Sequence, residues 1–129
     1  MNWTNQYSAS PPVVLVGDPD DEVRAFVRAA LGEIGLAVLE ARDATEVRRW
    51  LHKKAVNLVF AEVMLPHTTG DKLAGEIVRR GIPVVLMSGH PDGLRRAKEG
   101  RRLVLWKPLQ IKDVLRVAIL ALPSWRRHV

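Results

Sequence analysis

The chain has 129 residues and a hydrophobic content of 47%, which suit one globular domain and exclude an intrinsically disordered protein. It contains no cysteine, no signal peptide and no apolar run near the roughly 18 residues of a membrane helix, so we expect a cytoplasmic protein without disulfides. The formal net charge of +6 and the pI of about 10.3 favour acidic partners.

Short apolar runs alternate with helical patterns along the chain. In chain order, the patterns predict a strand over 13–16, a helix over 22–34, a strand over 36–39, a helix from Asp43, a strand over 56–61, a helix over about 71–80, a strand over 82–87, a helix over about 91–98, a strand over 103–106 and a helix over about 110–122. Strands that are apolar on both faces and alternate with helices predict a parallel sheet that is covered by helices on both sides. We therefore expect an α/β fold with one domain over residues 13–122, an N-terminal tail over 1–12 and a C-terminal tail over 123–129.

Polar residues follow four of the predicted strands or lie near their ends. They are Asp18 and Asp20 after the first strand, Glu62 near the end of the third, Ser88 after the fourth and Lys107 after the fifth. Ligands of open parallel sheets bind at the carboxyl ends of the strands, so these side chains are expected to converge. Each also has a purely structural interpretation: the acids as helix caps, Ser88 as a turn residue, and Lys107 as an exposed lysine.

The joint pattern resembles the receiver domain of two-component response regulators, over about residues 13–122. The stretches that carry the resemblance are VVLVGDPDDEVR, NLVFAEVMLPHTTG, IPVVLMSG and LVLWKP. The resemblance implies a doubly wound, five-stranded sheet in the flavodoxin-like order 2-1-3-4-5. It also implies a phosphate-accepting aspartate at the end of the third strand, Mg²⁺ held by an acidic pair after the first strand, and Ser88 and Lys107 as contacts of the phosphoryl group.

Three positions depart from the family pattern. Glu62 stands where the family has the phosphorylated aspartate, and the acidic pair loses one member because either Gly17-Asp18 or Asp18-Pro19 takes its place. We therefore expect a weak or absent Mg²⁺ site, with Asp18, Asp20 and Glu62 as its candidate ligands. The aromatic residue that receivers usually carry three positions before the lysine is replaced by Val104.

Without a phosphoryl group, Lys107 can pair directly with Glu62. Glu62 could then hold Lys107 and Ser88 much as a phosphoryl group does, which would lock the domain in an active-like state. Alternatively, Glu62 is only the counter-ion of Lys107 and the domain is locked inactive. The residues leave both interpretations open.

These expectations favour a stand-alone, phosphorylation-independent pseudo-receiver that is not an enzyme and acts by contact with a histidine kinase or another regulator, as a monomer or a homodimer. The expected partner face, made by the fourth helix, fifth strand and fifth helix, contains a basic cluster that suits an acidic partner: Arg95, Arg96, Lys98, Arg101 and Arg102. The alternatives are a phosphoaccepting, Mg²⁺-dependent response regulator and a basic module that binds nucleic acid. Nucleic acid is the less favoured partner, because the sequence contains no nucleic-acid recognition motif. A flavodoxin-like enzyme is weaker still, because no glycine-rich phosphate loop or nucleophile–base pair is present.

Overall fold

The computed structural model describes residues 10–123 and 125, in which strands and helices alternate as the sequence predicts. The strands are β1 (Val13–Gly17), β2 (Ala37–Ala41), β3 (Leu58–Glu62), β4 (Val84–Ser88) and β5 (Leu103–Trp106). The helices are α1 (Asp21–Glu33), α2 (Ala44–Lys53), α3 (Gly70–Arg79), α4 (Pro91–Glu99) and α5 (Ile111–Ala121). The parts of the two predicted tails that cover residues 1–9, 124 and 126–129 lie outside the described residues.

The strands form one parallel sheet with the order β2-β1-β3-β4-β5. The prediction of a doubly wound sheet in flavodoxin-like order is therefore confirmed. None of the helices within the described residues is long and apolar enough to cross a membrane.

Alternate residues of each strand point to opposite faces of the sheet, so the core has two layers. One layer packs α2, α3 and α4 against strand residues such as Leu15, Val59 and Leu86. The other packs α1 and α5 against residues such as Val16 and Phe60. This division explains why the central strands are apolar throughout, since both faces of the sheet are covered.

Four strands extend further along the chain than their apolar runs suggested, and two of these end in a candidate site residue. β3 includes Glu62, which pairs in register with Met87, and β4 includes Ser88, which pairs with Trp106. The hydropathy pattern ended these strands too early because a polar residue closes each one. Glu62 and Ser88 are thus held by the sheet itself rather than by a loop.

Side chains cap the first two helices at their N-termini. Asp20 Oδ1 accepts a hydrogen bond from Glu22 N at 2.8 Å, and Asp43 Oδ1 accepts one from Glu46 N at 2.9 Å. These bonds satisfy amides that have no partner within the helix. The capping role of Asp20 matters for the functional site, because it engages this carboxylate at the N-terminus of α1.

Candidate functional site

Four of the sequence-predicted site residues meet at the carboxyl edge of the sheet. Asp18 directly follows β1, Glu62 and Ser88 are the last residues of β3 and β4, and Lys107 directly follows β5. The cluster is largely shielded from water, since Asp18 and Ser88 are buried while Glu62 and Lys107 are half-buried. The parallel topology brings these residues together, as the sequence predicts.

Lys107 lies between two carboxylates. Its Nζ atom is 2.7 Å from Asp18 Oδ2 and 3.1 Å from Glu62 Oε1. The side chains are 19% exposed for Lys107, 1% for Asp18 and 13% for Glu62. Burial by itself would lower the pKa of Lys107, but the hydrogen bonds and charges of Asp18 and then Glu62 together outweigh it and raise that pKa above its ordinary value. The ammonium group is therefore a stable, resident cation.

The remaining oxygens of both acids are also hydrogen-bonded. Glu62 Oε2 accepts from the backbone amide of Val63 at 2.7 Å, and Asp18 Oδ1 accepts from the amide of Asp20 at 2.9 Å. Every carboxylate oxygen of the pair thus has a donor within the chain. A new ligand at either acid therefore shares its oxygen with a donor of the chain.

Ser88 does not take part in this ion-pair cluster. Its hydroxyl donates to His90 O at 3.0 Å and accepts from His90 N at 3.1 Å, which closes a tight turn before α4. A Cβ on Gly93 would lie only 2.3 Å from Ser88 Oγ, so the first turn of α4 packs directly on this hydroxyl. Of the two interpretations, the one in which Glu62 holds both Lys107 and Ser88 is not the arrangement in this structure, because the turn to His90 satisfies the Ser88 hydroxyl.

Known proteins share this fold. Residues 14–119 match the family profile described as the response regulator receiver domain. The chain belongs to this family. It is 30% identical over 112 residues to Protein PetR of Rhodobacter capsulatus, and 30% identical over 128 residues to the 3',5'-cyclic-nucleotide phosphodiesterase regA of Dictyostelium discoideum.

These matches cover 84% and 92% of the receiver chain, but only 47% of PetR and 16% of regA, so the chain corresponds to part of each relative. Among solved structures, the signal receiver domain of an HD domain-containing protein from Pseudomonas fluorescens Pf-5 superposes with a TM-score of 0.81 at 26% identity. That match covers 89% of both chains.

The side chains of this receiver domain do not fit the Mg²⁺ ion that the family resemblance implies. Lys107 already bonds to both Asp18 and Glu62, and Asp20 is exposed and caps α1. Over residues 10–123 and 125, no group of three or more potential ligands could hold a metal ion. Mg²⁺ requires near-octahedral oxygen coordination, which an ammonium group between the two acids opposes.

Arg24 is a residue of the site region that the sequence analysis missed. It is 7% exposed, and its guanidinium donates to the backbone oxygen of Asp18 at 2.6 Å and to Glu40 Oε1 at 3.2 Å, and also contacts Asp21. The sequence did carry a signal, because Arg24 precedes Val27 by three positions and so lies on the buried stripe of α1. Arg24 therefore holds the loop that presents Asp18.

The five cations of the predicted partner face do not form one patch. Arg95 pairs with Asp92 at 3.1 Å, and Arg96 pairs with Asp71 at 3.4 Å. The other three lie at or just beyond the C-terminal end of α4: Lys98, Arg101 and Arg102. The cluster in the sequence is thus divided into two cations that form ion pairs and three, near the end of α4, that do not within the described residues.

Proposed function

We propose that this receiver domain, over residues 13–122, signals by contact with a protein partner and does not depend on phosphorylation. The observation that carries the proposal is the position of Lys107 Nζ, 2.7 Å from Asp18 Oδ2 and 3.1 Å from Glu62 Oε1. The chain supplies its own cation where an incoming metal or phosphoryl group would have to bind. Lys107 therefore offsets one of the two carboxylate charges of the site before any ligand arrives.

Glu62 is a poor phosphoacceptor on geometric grounds. Compared with aspartate, its extra methylene moves the carboxylate by roughly 1.5 Å. Displacements of this size reduce the rate of an oriented reaction on the order of 10²-fold. Both of its oxygens also accept a hydrogen bond, from Lys107 and from the amide of Val63, which makes them weaker nucleophiles toward a phosphodonor.

Of the two locked states, the contacts favour Glu62 as a simple counter-ion of Lys107. An active-like state would require Glu62 to hold Ser88 as well, whereas Ser88 bonds to the backbone of His90. The proposed signal is consequently the presence of the folded surface itself. A histidine kinase or another regulator would bind this surface.

The proposed partner surface lies at the β5 edge of the sheet. Leu103 and Trp106 are 43% and 48% exposed, and Ile111 at the start of α5 is 56% exposed. Exposed aromatic and aliphatic side chains at a sheet edge can supply the apolar anchors of a protein interface. Lys98 on α4 is exposed and adds positive charge that suits an acidic partner.

The decisive experiment is an amide NMR titration of the protein with Mg²⁺ and then with beryllofluoride, a phosphoryl mimic. The Glu62→Asp variant is titrated in parallel, and Glu99→Asp, which shortens an exposed acid of α4, is the matched control. We expect the wild type and the control to show no shifts at Ser88, Glu62 or Lys107. Shifts in Glu62→Asp alone would show that one methylene disables the site. Shifts in the wild type would overturn the proposal and restore phosphate-dependent signalling.

A further inference from the structure

Seven cations gather at the edge of the molecule opposite the ion-pair cluster. Helices α2, α3 and α4 pack on the same face of the sheet and run back toward the edge where the strands begin. Each ends in basic residues, which we call the amino-edge rim: Lys53, Lys54, Arg79, Arg80, Lys98, Arg101 and Arg102.

Side-chain contacts join the three helix ends into one surface. Arg80 Nη2 donates to Leu51 O at 3.2 Å, which ties the end of α3 to the last turn of α2. A Cβ on Gly75 would have Arg79 Nη1 at 3.6 Å and Arg102 Nη2 at 4.0 Å, so two guanidinium groups flank the same point. The rim is thus continuous from α2 across α3 to the residues that follow α4.

The rim is not neutralised by the acids around it. Within residues 10–123 and 125, none of the seven cations has a carboxylate within 4.0 Å. Glu76 on α3 is engaged by Arg48, at 2.9 Å. Glu99 is an exposed acid in the last turn of α4. Without the rim, the chain would have 13 Lys and Arg against 14 Asp and Glu, so the rim accounts for the whole positive net charge.

We propose that the amino-edge rim binds the phosphate backbone of a nucleic acid, without sequence specificity. Protein interfaces usually centre on buried, well-packed anchors, whereas affinity for a phosphate backbone comes mainly from exposed cations. Four of the rim residues are arginines, whose planar donors match phosphate oxygens in pairs. Arg79 and Arg102 both place a guanidinium group near Gly75, so one phosphate group can contact both.

The test measures binding of a fluorescein-labelled DNA duplex of mixed sequence by fluorescence anisotropy as the salt concentration is raised. With about four phosphate contacts, affinity should fall roughly a hundredfold between about 50 and 200 mM salt, because each contact releases counterions. The rim variant R79Q/R102Q should weaken binding and make the logarithmic salt slope shallower by about two.

The matched control is K72Q/K112Q, which removes the same charge from exposed lysines at the N-terminal ends of α3 and α5, on the other edge of the sheet. For this control, the logarithm of the affinity should fall with the logarithm of the salt concentration at the same slope as for the wild type. A second rim variant, K54Q/R101Q, and circular dichroism of every variant separate loss of binding from loss of fold.

Three results would overturn the proposal. The first is no duplex binding at about 50 mM salt, where counterion release is strong. The second is equal weakening by the rim and control variants, which would show that net charge and not the rim is responsible. The third is binding of polyglutamate without binding of duplex, which would assign the rim to an acidic protein segment instead.

Discussion

Lys107 Nζ lies 2.7 Å from Asp18 Oδ2, although the two residues are 89 positions apart in the chain. They follow β5 and β1, and β3 and β4 separate those strands in the sheet. The lysine side chain therefore reaches past the end of β3, where it also meets Glu62. The shorter contact is to the more deeply buried acid, which makes Asp18 the main partner of Lys107.

The two acids should differ in their importance for stability. Asp18→Asn is expected to lower the free energy of unfolding by about 2–3 kcal/mol, because it weakens a nearly buried ion pair. Glu62→Gln should cost about 1 kcal/mol, since Glu62 is more exposed and its pairing is longer. Urea denaturation of both variants measures the two values. The reverse ranking would contradict the assignment of Asp18 as the main partner.

Lys107 should also make the protein sensitive to alkaline pH. Its pKa is raised in the folded state, so its stabilising contribution is complete below the ordinary value of about 10.5 and is lost as the pH rises through the raised value. Over that window, stability should fall by up to about 1.4 kcal/mol per pH unit from this group alone.

Lys107→Met should lack the alkaline loss of stability that comes from Lys107. Lys112→Met, which removes an exposed lysine of α5, should keep it. Chemical denaturation at several pH values between about 9 and 12 isolates the difference from the other titrating lysines. Identical pH profiles for Lys107→Met and the wild type would contradict the prediction.

Arg24 should be a structural residue of the loop after β1. Arg24→Met keeps the length of the side chain but removes the donors to the backbone of Asp18 and to Glu40, and should cost about 3 kcal/mol. Arg28 contacts the same Glu40 from an exposed position, so Arg28→Met should cost less than about 1 kcal/mol. Urea denaturation tests the comparison, and hydrogen exchange at Asp20 reports on the loop. Equal losses in the two variants would show that burial of Arg24 is unimportant.

The turn after β3 depends on the glycine at position 70. A Cβ there would lie 2.3 Å from Glu62 O and 2.9 Å from Val63 Cα, which are backbone atoms that cannot turn away. Gly70→Ala should therefore destabilise the protein by about 1–3 kcal/mol and shift the amide signals around Glu62.

Gly32→Ala is the control, because a Cβ on this α1 residue would have no heavy atom within 4 Å. It should stabilise the protein by up to about 1 kcal/mol through helix propensity. Thermal denaturation and amide spectra measure both changes. A neutral Gly70→Ala variant would show that the turn can relax.

Much of the candidate site could be predicted from the amino-acid sequence. Apolar runs between helical patterns specify a parallel sheet, and a parallel sheet places every strand end at the same edge. Asp18, Glu62, Ser88 and Lys107 were therefore expected together, and pairing of Lys107 with Glu62 followed from the loss of the family's aspartate. The strand order 2-1-3-4-5 came from the resemblance and is confirmed by the pairing.

The choice of partners within the cluster was decided by packing. Periodicity assigns a residue to an edge or a face, but not the rotamer that its side chain adopts or the donor that it meets. Ser88 turns to His90 beneath the first turn of α4, and Arg24 turns inward because Glu40 and the backbone of Asp18 can accept its donors. Packing also decided the surroundings of the basic residues around α4. Arg96 pairs with Asp71, whereas Arg102 lies near Gly75 together with Arg79, and both contacts depend on how the helices are assembled.

Local periodicity and chain connectivity thus specify the sheet, its carboxyl edge and the residue types that meet there. The pairing of Lys107 first with Asp18, the separation of Ser88 from that pair and the joining of three helix ends into one basic rim are instead results of packing. Each of these depends on distances of a few ångströms between residues that are far apart in the chain.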